Sequence, residues 1–210
     1  MLARMARIRR VRTVNPIAPA KCKRAALRLF DAILTQPETS WRRETYLGTL
    51  GGFDEYHGRI AWRLGEQGTR YSVEFDDALL RRVDERIRGL EYSSAEDSLW
   101  TAIVRISKDP LPRDIALGLI ERRAYFTTLA LANSNQHPDV HWAAAERDTQ
   151  ARNRMATRVM ADATFGPDDV TRFLERYGDD YTARRLMARV RDCSEEKRAR
   201  LEAYDPRAGA

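Results

Sequence analysis

Nine cations stand in the first thirty residues, at Arg4, Arg7, Arg9, Arg10, Arg12, Lys21, Lys23, Arg24 and Arg28, with no acid among them. The whole chain holds 37 Lys and Arg against 31 Asp and Glu, a formal net charge of +6. After residue 30 the balance is therefore 28 cations to 31 acids, a net of −3. A basic arm is joined to a near-neutral body. An acid-free arginine run is suited to phosphate or to an anionic membrane surface, where its field is not cancelled locally. Arginine outnumbers lysine 33 to 4. Its planar fork reads phosphate in a bidentate way, and a compositional bias would also spread it over ordinary solvated helices.

Other residue types carry weaker chemistry. Arg154 and Arg158 are four apart, as are Arg185 and Arg189. On a helix that spacing puts each pair on one face. Two readings stand: a basic strip continuous with the arm, with salt-dependent affinity for phosphate, or a solvated face neutralised by the many nearby acids, such as Glu146, Asp148 and Glu175. His137 and His141 are also four apart, the spacing of two ligands on one metal. Pro138 belongs at a first helical position, however, which leaves His137 outside the helix, and no third ligand is near. No metal is expected. The acid pairs Asp168-Asp169, Asp179-Asp180 and Glu195-Glu196 suggest paired carboxylates, but all three precede or open predicted helices, where capping explains them. Trp62, Trp100 and Trp142 could stack on bases, and core packing is the simpler role. No glycine-rich phosphate loop, GxSxG elbow or Cys–His pairing is present, so no cofactor is expected.

The elements that must position these residues are mostly helical. No apolar run approaches the ~20 residues of a membrane helix, and the two cysteines, Cys22 and Cys193, form neither a disulfide framework nor a metal pair. A cytoplasmic location is the expectation. Leu2, Met5, Ile8 and Val11 recur between arginines as in an amphipathic basic helix, a pattern that also permits organelle targeting. Residues 20–35 predict a helix with Ala25, Leu27, Leu29, Phe30, Ile33 and Leu34 as its stripe, ended by Gln36-Pro37. Over residues 53–69 a helix and a hairpin compete. Ile60, Trp62 and Leu64 alternate, as do Tyr71, Val73 and Phe75 across the Gly65–Gly68 turn, which favours a β-hairpin with Arg70–Phe75 as its firmer strand. Asp76-Asp77 then opens a helix carrying Leu79, Leu80, Val83 and Ile87 and closing near Gly89. Another follows Ser93-Ser94.

From there four helix starts recur, at Pro112-Arg113-Asp114, Pro138-Asp139, Pro167-Asp168-Asp169 and Ser194-Glu195-Glu196, at spacings of 26, 29 and 27 residues. Second helices lie between them, with apolar faces holding Tyr125, Phe126 and Leu129, then Met155, Val159 and Met160, then Tyr181, Leu186 and Val190. One pair of helices per ~25–30 residues cannot bury its own apolar face, so neighbours must stack. The segments LALANSNQHPDVHWAAAERD and RVMADATFGPDDVTRFLERY resemble short HEAT-type or variant leucine-rich helical repeats over about residues 98–204. That resemblance implies an α-solenoid with a concave partner surface, and no chemistry. A more compact irregular helical bundle is the other architecture this periodicity allows. The order RYSVEF, then DDALLRRVDERI, then a further helix is similar to ribbon-helix-helix DNA-binding proteins. In that family Arg70, Ser72 and Glu74 would face the groove. The second helix starts about two residues late, and a strand packed on its own domain is the simpler account.

The expected organisation is a basic arm at 1–19, a helical region with a small β element at 20–97, helical repeats at 98–204 and a tail at 205–210. The expected function is a non-enzymatic nucleic-acid-interacting protein, DNA or RNA, using Arg4, Arg7, Arg9, Arg10, Arg12, Lys21, Lys23 and Arg24 with Arg154, Arg158, Arg185 and Arg189. Its alternatives are a protein–protein adaptor using the repeat face and a DNA-glycosylase-like enzyme on a helical-repeat scaffold.

Overall fold

The computed structural model describes residues 19–37, 74–88, 94–122 and 124–204. Among them lie ten helices and no sheet: α1 (Pro19–Thr35), α2 (Asp77–Arg88), α3 (Ser94–Ile106), α4 (Arg113–Glu121), α5 (Tyr125–Asn133), α6 (Pro138–Arg147), α7 (Thr149–Ala161), α8 (Pro167–Tyr177), α9 (Tyr181–Arg189) and α10 (Glu195–Glu202). The hairpin expected over residues 60–75 lies outside the described residues except at its last two. There, Glu74 and Phe75 are non-strand chain leading into α2. Phe75 lays its ring 5.9 Å from Phe30 of α1, and Glu74 pairs with Lys108 at 2.6 Å.

All four recurrent starts open helices. Pro138 and Pro167 take the first helical position, after His137 and Gly166. Pro112 stands one place earlier, as the residue before Arg113. Asp76 caps α2 by accepting the Ala78 N–H at 3.0 Å, and Ser194 caps α10 by accepting the Lys197 N–H.

Short connections make successive helices turn back on one another; Asp148 alone joins α6 to α7. Every second helix then runs in the same direction. The start of α3 meets the start of α5, because the Asp97 carboxylate accepts from Phe126 N and Thr127 N at 3.0 and 2.8 Å. The ends of α5 and α7 meet where Arg158 reaches the carbonyls of Ala132 and Ser134. Arg152 near the start of α7 pairs with Asp180 at the start of α9. One layer is thus α3, α5, α7 and α9, each packed on the next. The other layer contains α4 packed on α6 and α8 packed on α10. There the ion pairs Arg113–Asp139 at the starts of α4 and α6 and Arg176–Glu146 at the ends of α8 and α6 fix a common direction.

Two apolar clusters fill the interior. The first runs from Phe30 through Trp100, Leu119 and Leu131 to Ala151. The second gathers Met155, Val159, Phe165, Phe173 and Met187 around Trp142. α6 divides them, giving Val140 and Ala144 to the first and Trp142 and Ala145 to the second. Trp100 and Trp142 are both core residues, as the simpler reading has it, and Trp62 lies outside the described residues. No described helix is long and apolar enough to cross a membrane.

Candidate nucleic-acid interface

The arm residues Arg4, Arg7, Arg9, Arg10 and Arg12 lie outside the described residues. Lys21 and Lys23 belong to the first turns of α1, and Arg24 is exposed there. The remaining four candidates sit on α7 and α9, which pack side by side. Arg154, Arg185 and Arg189 are exposed.

Arg158 departs from the expectation. Its guanidinium is half-buried, donates to Ala132 O at 3.4 Å and Ser134 O at 3.1 Å, and pairs with Asp162 at 3.4 Å. It closes the C-terminal end of α5, where unpaired carbonyls and the negative end of the helix dipole favour a cation. The expected strip therefore loses Arg158 and keeps Arg154, Arg185 and Arg189 as its exposed candidates. Arg158 is a structural residue; its pairing with Asp162 is four residues away, but the carbonyls that fix it lie 24 and 26 residues away and could not be read from local spacing.

Two further cations do the same work. Lys197, buried at the start of α10, donates to Met160 O at 3.4 Å and Asp162 O at 2.8 Å, at the end of α7. Arg198 donates to the carbonyls of Ala188 and Val190 at the end of α9.

What the two layers expose differs sharply in charge. α5, α7 and α9 contain no Asp or Glu at all, and six arginines. The two acids of α3, Glu96 and Asp97, are buried. α4, α6, α8 and α10 hold ten acids, Glu146 and Glu175 among them. Those are two of the three acids named for a neutralised face, and the fold puts them in the opposite layer, while Asp180 and Asp162 in the adjoining loops pair with Arg152 and Arg158. Glu146 is moreover engaged by Arg176 at 2.8 Å. The third, Asp148, is half-buried and caps α7, accepting from Gln150 N and Ala151 N at 2.7 and 2.9 Å.

The same layer exposes aromatic rings. Tyr125, Phe126 and Tyr181, expected on apolar inward faces, are 49%, 55% and 68% exposed. They occupy the first helical positions of α5 and α9, where the helix has just emerged from its cap and a side chain leans back past the helix end rather than onto the core. Position within the helix was the available signal.

The remaining candidates, and Asp84, which the sequence did not single out, have structural duties. Asp84, buried, pairs with Arg88 and with Arg122 at 2.7 Å. Asp169 accepts from Gly166 N at 2.8 Å and Asp180 from Ala183 N at 3.1 Å, so these acids cap helices. His137 is exposed outside the helix while His141 is buried beside Phe165, and among the described residues no three metal-ligating side chains gather. Burial, then the nearby Arg158, push His141 down to about 3 against the pull of Asp162. Its Nε2 has no hydrogen-bond partner, so the ring is neutral. Burial opposes ionisation of Asp162, but the Thr164 N–H and hydroxyl and the Arg158 guanidinium outweigh it and hold the carboxyl below the usual range. A cleft of about 590 Å³ opens between the starts of α8 and α10, lined by Met160, Phe165, Cys193, Ser194 and Lys197. The Lys197 ammonium in its wall is already engaged by two carbonyls.

No family model matches the chain, and no curated protein or solved structure matches it.

Proposed function

We propose that this chain is a non-enzymatic nucleic-acid-binding protein. In this reading its helices over about residues 98–204 form a short solenoid of HEAT-type repeats, and phosphate is held by the basic N-terminal arm and by α5, α7 and α9. The observation that carries it is the complete lack of acids in those three helices, against ten in the four helices opposite. A random scatter of charge over a near-neutral body would neutralise both faces. Segregation instead leaves Arg154, Arg185 and Arg189 with no carboxylate on their own helices, and a polyanion gains from each contact by releasing counterions. The arm, Arg4 to Arg12 with Lys21, Lys23 and Arg24, adds sequence-independent attraction of the same kind. A cytoplasmic setting fits such a partner.

The test is fluorescence anisotropy with labelled single-stranded DNA, duplex DNA and RNA over a range of salt. The full chain is compared with a variant in which Arg4, Arg7, Arg9, Arg10 and Arg12 are all glutamine. Binding should weaken steeply with salt, and the slope of log affinity against log salt should fall by about 0.7–0.9 for each phosphate contact removed. Absence of binding to all three at about 50 mM salt rejects the proposal. It would leave the adaptor reading, which the exposed Tyr125 and Phe126 favour, to be pursued by pull-down.

A further inference from the structure

The starts of α3, α5, α7 and α9 share one edge of the molecule, as the Asp97–Phe126 and Arg152–Asp180 contacts require. Three aromatic side chains stand out from that edge. Tyr125 and Phe126 meet edge to face, with ring centroids 5.2 Å apart and planes at 75°, and neither belongs to an apolar cluster of the interior. Tyr181 is the most exposed of the large apolar side chains among the described residues. Two helix spacings of about 10 Å separate α5 from α9, so the rings span roughly 20 Å.

Helix starts ordinarily offer amide N–H groups to anions. Here carboxylates already take up part of that capacity. Asp97 takes Phe126 N and Thr127 N, Asp148 takes Gln150 N and Ala151 N, and Asp180 takes Ala183 N. The edge therefore presents ring faces rather than anion cradles. Cations begin farther along the same helices: Arg154 is five residues beyond the start of α7, and Arg185 and Arg189 are four and eight beyond Tyr181, about 6–12 Å at 1.5 Å per residue.

Rings at an edge with arginines behind them match a polymer that has flat apolar groups on one side and phosphates on the other. A duplex stacks its bases inside and cannot present their faces to protein rings, whereas a single strand can. We infer that this layer binds single-stranded nucleic acid, with bases stacked on Tyr125, Phe126 and Tyr181 and phosphates against Arg154, Arg185 and Arg189. The inference rests on the nucleic-acid reading above and names the form of the ligand. An acidic protein would use the arginines but not the rings.

The experiment uses the full chain with a labelled 20-nucleotide single strand, the corresponding duplex and a poly-glutamate peptide. Two variants are compared with the parent: Tyr125→Ala with Phe126→Ala and Tyr181→Ala, and Arg154→Ala with Arg185→Ala and Arg189→Ala. Circular dichroism checks the helical content of each. Should the aromatic triple variant lose its fold, Tyr181→Ala against Tyr181→Phe replaces it, since phenylalanine keeps the stacking face. The parent should bind the single strand more tightly than the duplex. The aromatic variant should lose about tenfold per ring on the single strand and change little on the duplex. The arginine variant should reduce the single-strand salt slope by about 2, from three contacts of ~0.7 each. Equal affinity for strand and duplex, or an aromatic variant that binds like the parent, overturns the inference while nucleic-acid binding itself stands. Binding of poly-glutamate as tight as that of the single strand overturns it in favour of an acidic partner. Failure to bind either nucleic acid removes the underlying reading as well.

Discussion

The helices of the acidic layer begin on signals written beside them. α6 has Pro138 and Asp139, α8 has Pro167, Asp168 and Asp169, and α10 has Ser194, Glu195 and Glu196. In the acid-free layer, α7 and α9 are capped by the single residue before them, Asp148 and Asp180, while α5 has no cap of its own and borrows Asp97 from α3, some thirty residues earlier. The first kind of start needs only its own turn to form. A borrowed start exists only once two helices have docked, so α5 depends more heavily on tertiary structure than its neighbours. The difference also explains the charge pattern: the acidic layer carries its dipole-complementing acids inside its helices, and the other layer keeps them in loops or in the core.

The contrast is sharpened most by Asp97→Ala. Asp97 is buried and also accepts the Thr127 hydroxyl at 2.6 Å. Its removal leaves the two amides without their acceptor, while the Thr127 hydroxyl keeps the Asp97 carbonyl at 3.0 Å and Thr101 at 3.2 Å, so urea unfolding should show a loss of about 2–3 kcal/mol. A loss below about 1 kcal/mol would mean that α5 does not depend on the borrowed cap. Next is pH. His141 is neutral in the fold at about 3 and ordinary in the unfolded chain, near 6.5. The unfolded chain then binds the extra proton between those values, so stability is full above about 6.5 and falls as pH falls toward 3. Between pH 7 and 5 the parent should lose about 2 kcal/mol more than His141→Gln, measured by denaturation at both pH values. Equal losses would place the ring in water.

Smaller effects probe the acidic layer. Gly118 lies inside α4, and a methyl group there would meet only the Arg122 side chain at 3.5 Å. Gly118→Ala should therefore stabilise by about 0.5–1 kcal/mol in thermal melts. At Gly178 an added methyl group would meet the Tyr204 hydroxyl at 2.0 Å and the Leu174 carbonyl at 2.3 Å, so the same replacement there should destabilise instead. Least of all, Arg113→Ala breaks an exposed ion pair with Asp139 at the legible helix starts, and its cost should stay below about 0.5 kcal/mol and vanish at high salt. A larger cost would erase the distinction between local and borrowed starts.

Legibility followed the same division. Prolines and acids one or two residues from a helix start act through that turn alone, and the starts at Pro112, Pro138, Pro167 and Ser194 could be read directly. Reading Pro138 as a first helical residue also removed His137 from any pairing with His141. Periodicity could not assign Tyr125, Phe126 and Tyr181, because it ranks residues by apolarity and not by distance from a helix end. Nor could it assign Arg158, two of whose three partners are carbonyls at the end of a helix two places earlier. The layering of charge was hidden for the same reason: Glu146 is near Arg154 in sequence and lies in the opposite layer of the fold.

The cations that close helix ends have a consequence for the order in which the molecule is made. Arg158 completes α5 from 24–26 residues downstream, and Lys197 completes α7 from 35–37 residues downstream. A chain emerging from the ribosome thus completes α5 and α7 with their ends still open, to be sealed only when a later segment arrives. For α5 and α7 structure matures behind synthesis by a lag of two or three helices, whereas α9 is closed by Arg198 of the very next helix. A ribosome that stalls within residues 162–196 leaves a chain in which α7 has no Lys197 to close it.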